Sequence, residues 1–324
     1  MKNNLKQIAK NVIELEIQGL RKLKNSIDNS FNKAIEAIVK CQSKVIFCGV
    51  GKSSKISAKL SATFSSVGCP SFTLSATEAS HGDMGSLQKR DVLILISYSG
   101  ETQELKNIIQ FANRNKITLI GIVSNKNSTL YKASDIKLYI PEVKEAGHGI
   151  VPTSSTTAAM AIGDALAIAS MEYKKFGKID FKRFHPSGKL GAKLRTVGDL
   201  MVTGNKIPFI NENIKMKTAL QIMNSKKLGI LVVRNKKKRT VGIVADGDLK
   251  RKIQKYKDIK DLKIKNVMTK NPLSIDSNEL AAKALNLMNS NKKRITSLCV
   301  YTKGNKSKTI GVLHLHQILE NNII

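Results

Sequence analysis

The sequence predicts an α/β fold, a doubly wound parallel sheet, followed by a tandem pair of smaller α+β repeats. Short apolar runs alternate with helix-like segments between residues 45 and 176, and this alternation is typical of a parallel sheet with helices on both faces. Beyond residue 195 the chain repeats itself at offsets of roughly 65 to 69 residues. These observations divide the chain into a domain of residues 1–195 and two modules, 196–258 and 259–324.

The elements of the first domain follow in order from local patterns. Apolar residues near a 3.6-residue period predict two opening helices, over 5–23 and 31–39. Short apolar runs bounded by turn residues predict strands at 45–48, 71–74, 92–96, 117–123 and 136–140. Helix-like segments between and after these strands lie at 57–67, 102–114 and 153–176.

The second half of the chain consists of two matching units. Residues 197–201 recur as 264–268, 219–224 as 284–289, and 241–244 as 310–313. Each unit is predicted to begin with a short segment, 197–201 or 264–268, which we call the lead segment. A helix, a hairpin and a strand that begins near a glycine and runs into a last helix are predicted to follow. The basic run 234–239 lies between two strand-like segments and predicts a solvated hairpin turn.

Composition limits the cellular setting and the class of protein. A chain of 324 residues with 41% hydrophobic content can bury a core. No apolar stretch approaches the roughly 20 residues that span a bilayer, and the first ten residues are too polar for a signal peptide. We therefore expect a cytoplasmic protein without a membrane partner. The four cysteines have irregular spacing and no CxxC pair, so neither a zinc site nor a disulfide framework is expected.

The formal net charge of +31 raises the question of nucleic-acid binding. The excess is spread over the chain, at roughly +14 up to residue 195 and roughly +17 after it. Lysine far outnumbers arginine, and asparagine and isoleucine are also abundant, which indicates compositional drift. We therefore expect no nucleic-acid partner, although RNA binding with a steep salt dependence and no enzymatic activity would reverse this interpretation.

Three hydroxyl-rich segments begin predicted helices, two of them directly after predicted strands and the third, 153–157, after a longer loop. The first, 49–54, fails the P-loop pattern because Ile46 replaces a glycine, and fails the dinucleotide pattern because Ser54 replaces another. Its glycines still permit an anion to approach the helix amides. These helix starts suit a phosphate and sugar hydroxyls, and ordinary N-capping is the alternative. The candidate binding residues are Gly51, Ser53, Ser97, Ser99, Gly100, Thr102, Thr153, Ser154 and Ser155.

Jointly these segments resemble the sugar isomerase (SIS) domain. Conversion of an aldose to a ketose requires a base that removes a proton beside a carbonyl, a proton route between two oxygens, and a group that stabilises the enediolate. Lys52, Glu104, Glu145 and His185 offer these functions. For Glu104 the alternative is a first-turn glutamate at a helix start, and for Glu145 it is a solvated loop charge.

The repeats of the second half resemble a tandem pair of cystathionine-beta-synthase (CBS) modules. Such pairs commonly bind adenylates or act as assembly elements. Here Ala245 precedes Asp246-Gly247-Asp248 where Ser or Thr is usual, and the second unit has His314-Leu315-His316-Gln317. The resemblance thus implies an oligomerisation or regulatory element with a nucleotide-type ligand whose ribose recognition departs from the usual pattern.

The whole chain resembles the D-arabinose 5-phosphate isomerase family of Gram-negative bacteria. The shared features are the domain order and the motifs GKS, SGExxE, PTSSTT and HPxGxLG. The resemblance implies a homotetramer that interconverts D-ribulose 5-phosphate and D-arabinose 5-phosphate for synthesis of 3-deoxy-D-manno-octulosonate of lipopolysaccharide or capsule. It implies Lys52, Glu104, Glu145 and His185 as the catalytic set. His81 matches a family histidine that can meet a divalent metal, adventitious or inhibitory, and no cofactor is expected to be required.

One departure from the family concerns the substrate. The segment between Glu145 and Pro152 is shorter than usual by about one residue and inserts His148, which we expect to contact sugar hydroxyls. An isomerase of another sugar phosphate is therefore the first alternative. A sugar-phosphate-sensing regulator without catalysis is the second, but the roughly 40 residues before the first strand are too few for an added DNA-binding domain.

Overall fold

The computed structural model describes residues 2–184, 188–255, 259–290, 295–321 and 323. The chain forms two compact units, 1–184 and 185–324, which are described separately. No helix within the described ranges is long and apolar enough to cross a membrane.

The first unit is built on a five-stranded parallel sheet in the order β2-β1-β3-β4-β5. The strands are β1 Val45–Gly49, β2 Ser71–Ser75, β3 Val92–Ile96, β4 Thr118–Val123 and β5 Ile136–Tyr139. The helices are α1 Lys2–Ser26, α2 Asn29–Lys40, α3 Lys52–Ser66, α4 Ala76–Ala79, α5 Lys106–Arg114, α6 Thr129–Ala133, α7 Ser154–Tyr173 and α8 Lys178–Phe184. The predicted doubly wound α/β class is confirmed.

Helices cover both faces of this sheet because its central strands β1, β3 and β4 are apolar on both sides. In β3, Val92, Ile94 and Ile96 pack on one face with α1, α2, α3 and α7. Leu93 and Leu95 pack on the other face with α4, α5 and α6. Such continuous apolar strands are the pattern of a sheet buried on both faces.

Several local features of the first unit differ from the sequence prediction. The helix expected over 57–67 begins earlier, at Lys52, so the GKSS motif forms its first turn. The helix expected over 102–114 begins with a 3-10 turn, Gln103–Leu105, and becomes α-helical only at Lys106. The short helices α4 and α6 were not predicted, because four or five residues are too few to show a helical period.

The second unit contains two four-stranded sheets, ordered β10-β9-β8-β7 and β11-β12-β13-β6. Its strands are β6 Val202–Thr203, β7 Phe209–Asn211, β8 Ile230–Arg234, β9 Thr240–Ala245, β10 Thr269–Lys270, β11 Ser274–Asp276, β12 Ser297–Tyr301 and β13 Gly311–His314. Its helices are α9 Gly188–Lys193, α10 Val197–Leu200, α11 Met216–Lys226, α12 Asp246–Lys255, α13 Ala281–Asn289 and α14 Leu315–Glu320.

The two repeats exchange their lead segments. The segment 197–203 precedes the first repeat, but β6 pairs with β13, and Val197 and Leu200 pack in the core of the second module. Conversely, β10 pairs with β9, and Ile264 and Val267 pack in the core of the first module. The folded modules are therefore not two consecutive pieces of chain.

The charged hairpin between β8 and β9 requires one correction. Lys236 to Arg239 are exposed, as predicted. Arg234 is half-buried: its guanidinium carbon lies 3.0 Å from the centroid of the Phe209 ring, and Nη2 donates to the Thr309 carbonyl at 2.9 Å. Burial lowers the pKa of this guanidinium. Arg234 is a packing residue because its planar, weakly hydrated group can stack on a ring.

The cysteines are free thiols, and Cys48, Cys69 and Cys299 are buried while Cys41 is half-buried. Burial raises the pKa of Cys48 to about 12 and that of Cys299 to about 11, so both remain protonated.

Candidate functional site

A cavity of about 250 Å³ lies at the carboxyl edge of the parallel sheet. Residues at or beyond the ends of β1, β3, β4 and β5 form one wall, and the first turns of α3 and α7 form the other. This is where an open α/β sheet ordinarily binds its ligand. The cavity is lined by Val50, Lys52, Ser53, Ile56, Ile96, Tyr98, Ile122, Ile140, Glu145, Pro152, Ser155, Thr156 and Ala159.

Lys52 and Ser53 bring the positive end of α3 to this cavity. Lys52 is the first residue of a 15-residue helix whose N-cap, Gly51, has a φ of +60° and supplies no capping side chain. Gly49 permits the tight turn, since a Cβ there would lie 2.8 Å from the Ser53 Cβ and 3.0 Å from the Ile96 carbonyl oxygen. The helix dipole and the exposed Lys52 ammonium thus both favour an anion here.

Glu145 holds the start of α7 on the opposite wall. Its Oε2 accepts hydrogen bonds from Thr153 N at 2.8 Å, Thr153 Oγ1 at 3.2 Å and Ser155 N at 3.4 Å. Burial would raise the pKa of Glu145, but hydrogen bonds from Ser155 and Thr153 outweigh it and lower the pKa below 4.5. Glu145 is therefore an oriented carboxylate, not the solvated loop charge that was the alternative.

This arrangement bears on the prediction that three hydroxyl-rich helix starts suit a phosphate and sugar hydroxyls. The start of α7 is already occupied by the Glu145 carboxylate. The Thr153 hydroxyl accepts a bond from Ala146 N at 3.0 Å, and the Ser154 hydroxyl, 1% exposed, donates to the Lys144 carbonyl at 2.8 Å. Of the three predicted binding hydroxyls at this helix, only that of Ser155 belongs to a residue lining the cavity.

The loop after β3 also uses its predicted binding residues internally. Ser97 is buried, and its Oγ lies 2.8 Å from Thr102 Oγ1 and accepts from Gly100 N at 3.1 Å. The Ser99 Oγ accepts from Glu101 N at 3.3 Å. Gly100 is needed for its φ of +69° and because a Cβ would lie 2.1 Å from Ser128 Oγ. None of these four predicted binding residues lines the cavity, so in this structure they shape the loop.

The two glutamates of this loop have different environments. Glu101 accepts from Thr129 N at 2.7 Å and Thr129 Oγ1 at 2.9 Å, and these bonds, the backbone one first, lower its pKa. Glu101 thus caps the start of α6 across the loop. Glu104 lies in the 3-10 turn, is exposed, and forms no side-chain hydrogen bond or ion pair with another described residue. The structure does not place Glu104 in the wall of the cavity.

The loop that carries His148 projects into solvent. Ala146 and Val151 form an isolated antiparallel bridge, and Gly147, His148 and Gly149 all have positive φ, with His148 at +64°. A side chain at Gly147 would lie 2.7 Å from Val151 Cγ2. His148 is exposed and does not line the cavity, so its contact with sugar hydroxyls stays a prediction.

Two predicted histidines are not tested by the geometry. His185 lies outside the described residues. His81 is exposed in the turn after α4. Within the described part of the chain, no group of three or more His, Cys, Asp or Glu side chains could hold a metal ion.

Sequence reasoning missed the apolar wall and Tyr98. Tyr98 lines the cavity while its hydroxyl accepts from Val143 N at 3.0 Å, which fixes the chain just before Glu145. Ile96 and Ile122 are paired in register at the ends of β3 and β4. Their position at the carboxyl ends of adjacent predicted strands could have identified these two residues as part of the cavity wall.

Comparison with known proteins assigns the chain to a family. Residues 38–169 match the SIS domain model, and residues 197–255 and 264–322 each match the CBS domain model. Arabinose 5-phosphate isomerase KdsD of Yersinia pestis is 40% identical over 323 residues, 99% of this chain and 97% of that protein. The chain belongs to the arabinose 5-phosphate isomerase (KdsD) family. KdsD of Escherichia coli K12 is 38% identical over the same share of both chains.

Three further proteins are similar to all or part of this chain. An uncharacterized protein of Rickettsia prowazekii is 40% identical over 317 residues, 98% of this chain and 97% of its own. A solved structure of an E. coli CFT073 protein in complex with arabinose 5-phosphate superposes with a TM-score of 0.56 at 38% identity, covering 57% of this chain and all of that one. A putative sugar-phosphate isomerase of Listeria monocytogenes gives a TM-score of 0.55 at 32% identity, covering 58% of this chain and 99% of that one.

Proposed function

We propose that this protein is an aldose-ketose isomerase that interconverts D-ribulose 5-phosphate and D-arabinose 5-phosphate. The observation that carries the proposal is the pairing of Lys52, at the open start of α3, with the oriented Glu145 carboxylate in one cavity. Membership of the KdsD family supports the same substrate pair.

Binding of the phosphate is assigned to the start of α3. The first-turn amides of this helix have no capping side chain, and the Lys52 ammonium adds a full positive charge. The start of α7 cannot take this role because Glu145 already accepts its amides, and a second anion would be repelled. The phosphate is therefore placed beside Lys52 and Ser53, with the sugar chain extending toward Glu145.

The catalytic roles are distributed over three groups. A base removes the carbon-bound proton next to the carbonyl, Lys52 stabilises the resulting enediolate, and a proton moves between the two neighbouring oxygens. The base then returns its proton to the adjacent carbon, so that the carbonyl moves by one position. Because its hydrogen bonds lower the pKa of Glu145, this carboxylate is a weak base at carbon. We assign the carbon proton to His185, since imidazole ordinarily titrates near neutral pH, and the oxygen-to-oxygen transfer to Glu104.

Replacement of Glu104 tests the oxygen transfer. The Glu104→Gln variant should bind D-ribulose 5-phosphate but fail to exchange deuterium from solvent into C2 of the sugar, as monitored by proton NMR. The Glu101→Gln variant of the same loop is the matched control and should retain exchange, because Glu101 only caps α6. Persistent exchange in Glu104→Gln would remove Glu104 from the mechanism.

The overall function is tested by conversion of D-ribulose 5-phosphate with a chelator present. The wild-type protein should form D-arabinose 5-phosphate, and the His185→Ala variant should not. Activity that is lost on chelation would contradict the expectation that no metal is required.

Another sugar phosphate is the alternative substrate, and the 146–151 loop is the reason. Its three consecutive positive-φ residues and exposed His148 lie between Glu145 and Pro152, which both line the cavity, and the loop differs in length from the usual family segment. A panel of pentose 5-phosphates and hexose 6-phosphates decides between the two. A kcat/KM for any other sugar phosphate above that for D-ribulose 5-phosphate would reassign the substrate.

The biological role follows from the reaction. D-Arabinose 5-phosphate would supply synthesis of 3-deoxy-D-manno-octulosonate for lipopolysaccharide or capsule.

For the CBS pair we propose a regulatory, nucleotide-type ligand in a cavity of about 940 Å³ lined by residues of both modules. The carboxylate of Asp248 already accepts from Ala245 N, Arg251 and Thr269, so it is not free for ribose hydroxyls. In the second module Gln317 Oε1 accepts from His314 N. Asp246 and His316, both exposed and lining the cavity, are among the polar groups that could contact the ligand.

A further inference from the structure

A second cavity of the first unit lies beside β5, the edge strand opposite β2. Its volume of about 430 Å³ exceeds that of the candidate active site and falls in the range of small-molecule sites. The turn between α1 and α2, the loop after β4, α6 and β5 form its walls. We name it the lysine-tyrosine pocket, after Lys33, Lys126, Lys137, Tyr131 and Tyr139, which line it.

The three lysines converge on this pocket from three different elements. Lys33 lies on α2, Lys126 in the loop after β4, and Lys137 on β5. None of them has a carboxylate within ion-pair distance among the described residues. Three ammonium groups thus line one cavity without forming an ion pair with a described residue, although Asp28 and Asp135 also line it.

The tyrosines hold two of these lysines in place. The Lys126 Nζ lies 4.3 Å from the centroid of the Tyr139 ring, and the Lys137 Nζ lies 5.6 Å from that of Tyr131. A ring face attracts an ammonium without neutralising it, so the positive charge remains available to a ligand. Both tyrosines are half-buried, and their hydroxyls form no hydrogen bond with the rest of the described chain.

The acidic residues of the pocket are committed to the backbone. Asp28 Oδ1 accepts from Ser30 N at 2.8 Å and caps α2, and Asp135 Oδ2 accepts from Leu119 N at 2.8 Å. These two carboxylates reduce the charge of the pocket but leave an excess of ammonium groups over carboxylates. Hydrogen-bond donors therefore dominate: three ammonium groups and two phenol hydroxyls.

We propose that the lysine-tyrosine pocket binds a diphosphate group, at a site separate from the isomerase cavity. Three separate ammonium groups exceed what one phosphate needs, and they match two adjacent phosphates that together present many acceptor oxygens. The ligand class is inorganic pyrophosphate or a nucleoside diphosphate, which share this chemistry. The proposal does not depend on the isomerase activity.

Isothermal titration of full-length protein with inorganic pyrophosphate at constant ionic strength tests the proposal. The Lys126→Gln/Lys137→Gln variant should bind about tenfold more weakly than wild type. The matched control, Lys236→Gln/Lys237→Gln in the exposed hairpin, removes the same charge and should bind as wild type does. Any binding of pyrophosphate at Lys52 is common to the wild-type protein and the two double variants, so it does not affect the difference in affinity between them.

A second variant separates a built site from diffuse positive charge. Tyr131→Phe/Tyr139→Phe keeps the rings and the net charge but removes both hydroxyl donors, so it should weaken binding by about threefold. Equal loss in the lysine variant and its hairpin control, or undiminished binding in both pocket variants, would overturn the proposal. Tighter binding of ADP than of pyrophosphate would identify a nucleotide as the ligand, and equal or weaker binding would identify the inorganic ion.

Discussion

At the scale of single residues, the role of Glu145 shows what a motif can and cannot reveal. The sequence indicated a functional carboxylate near a Thr- and Ser-rich helix start, and the structure places both at one cavity. It did not indicate that the carboxylate takes the helix amides for itself, because hydrogen-bond partners depend on the course of the intervening loop. The Thr153 and Ser154 hydroxyls therefore bond to the 144–146 segment in this structure, and their contact with a ligand stays a prediction.

The hydrogen bonds of Glu145 predict a pH-dependent contribution to stability. Replacing Glu145 by Gln removes a charged cap of α7 and should lower the free energy of unfolding by about 1 kcal/mol at pH 7. Because folding lowers the pKa of Glu145, this contribution is complete above the ordinary value of 4.5 and is lost as the pH falls through the folded-state value.

Urea unfolding of wild type and Glu145→Gln at pH 7 and at pH 3.5 measures this difference. We expect it to shrink at the lower pH. Glu104→Gln serves as the control and should change stability at neither pH, since Glu104 has no side-chain partner among the described residues. An equal loss in Glu145→Gln at both pH values would show that the charge of the carboxylate is not what stabilises α7.

At the scale of elements, local patterns predicted the strands of the first unit but not the pairing in the second. Apolar runs bounded by turn residues identify a buried strand without any knowledge of its neighbours. The sequence repeat shows which segments are equivalent, but not which sheet each one joins. That choice depends on packing between distant residues, such as Val197 with Leu313 and Ile264 with Val244.

A methionine and a glycine that recur in both repeats contact each other across the exchanged lead segments. A Cβ at Gly311 would lie 2.3 Å from Met201 Sδ, and one at Gly242 would lie 2.7 Å from Met268 Sδ. Each glycine therefore makes room for the lead segment of the other repeat. The two paired positions recur in the sequence because the same contact is made twice.

Substitution of Gly311 tests the exchanged packing. Gly311→Ala should lower the free energy of unfolding by about 1 to 3 kcal/mol, because the added methyl displaces Met201. Gly247→Ala, where the nearest heavy atom would be 3.6 Å away, is the control and should be neutral or stabilising in α12. Thermal unfolding of Met201→Ala and of the Met201→Ala/Gly311→Ala double variant completes the double-mutant cycle. If Met201→Ala does not reduce the destabilisation caused by Gly311→Ala, the contact between Met201 and Gly311 is contradicted.

At the scale of the whole molecule, an exposed apolar face on α7 bears on assembly. Met160 and Ile168 lie on the same side of this helix, and Ile168 is 49% exposed. The family resemblance implies a homotetramer, and contact with a second copy would cover this face.

Size-exclusion chromatography with light scattering measures the assembly directly. We expect a tetramer for the wild-type protein and a smaller species for Ile168→Asp. Ile253→Asp, which changes an exposed apolar residue of α12 instead, is the comparison variant and should leave the α7 contact intact. A monomeric wild-type protein, or a tetramer unaffected by Ile168→Asp, would contradict the assignment of this face.

In the proposed reaction, the residues around the cavity between Lys52 and Glu145 carry out the isomerisation. The most direct measurement is kcat/KM for D-ribulose 5-phosphate in Lys52→Gln and Lys55→Gln, two exposed lysines of the same helix turn of which only Lys52 lines the cavity. We predict a loss of about 100-fold in Lys52→Gln and wild-type activity in Lys55→Gln. Equal activity in the two variants would show that the reaction takes place elsewhere.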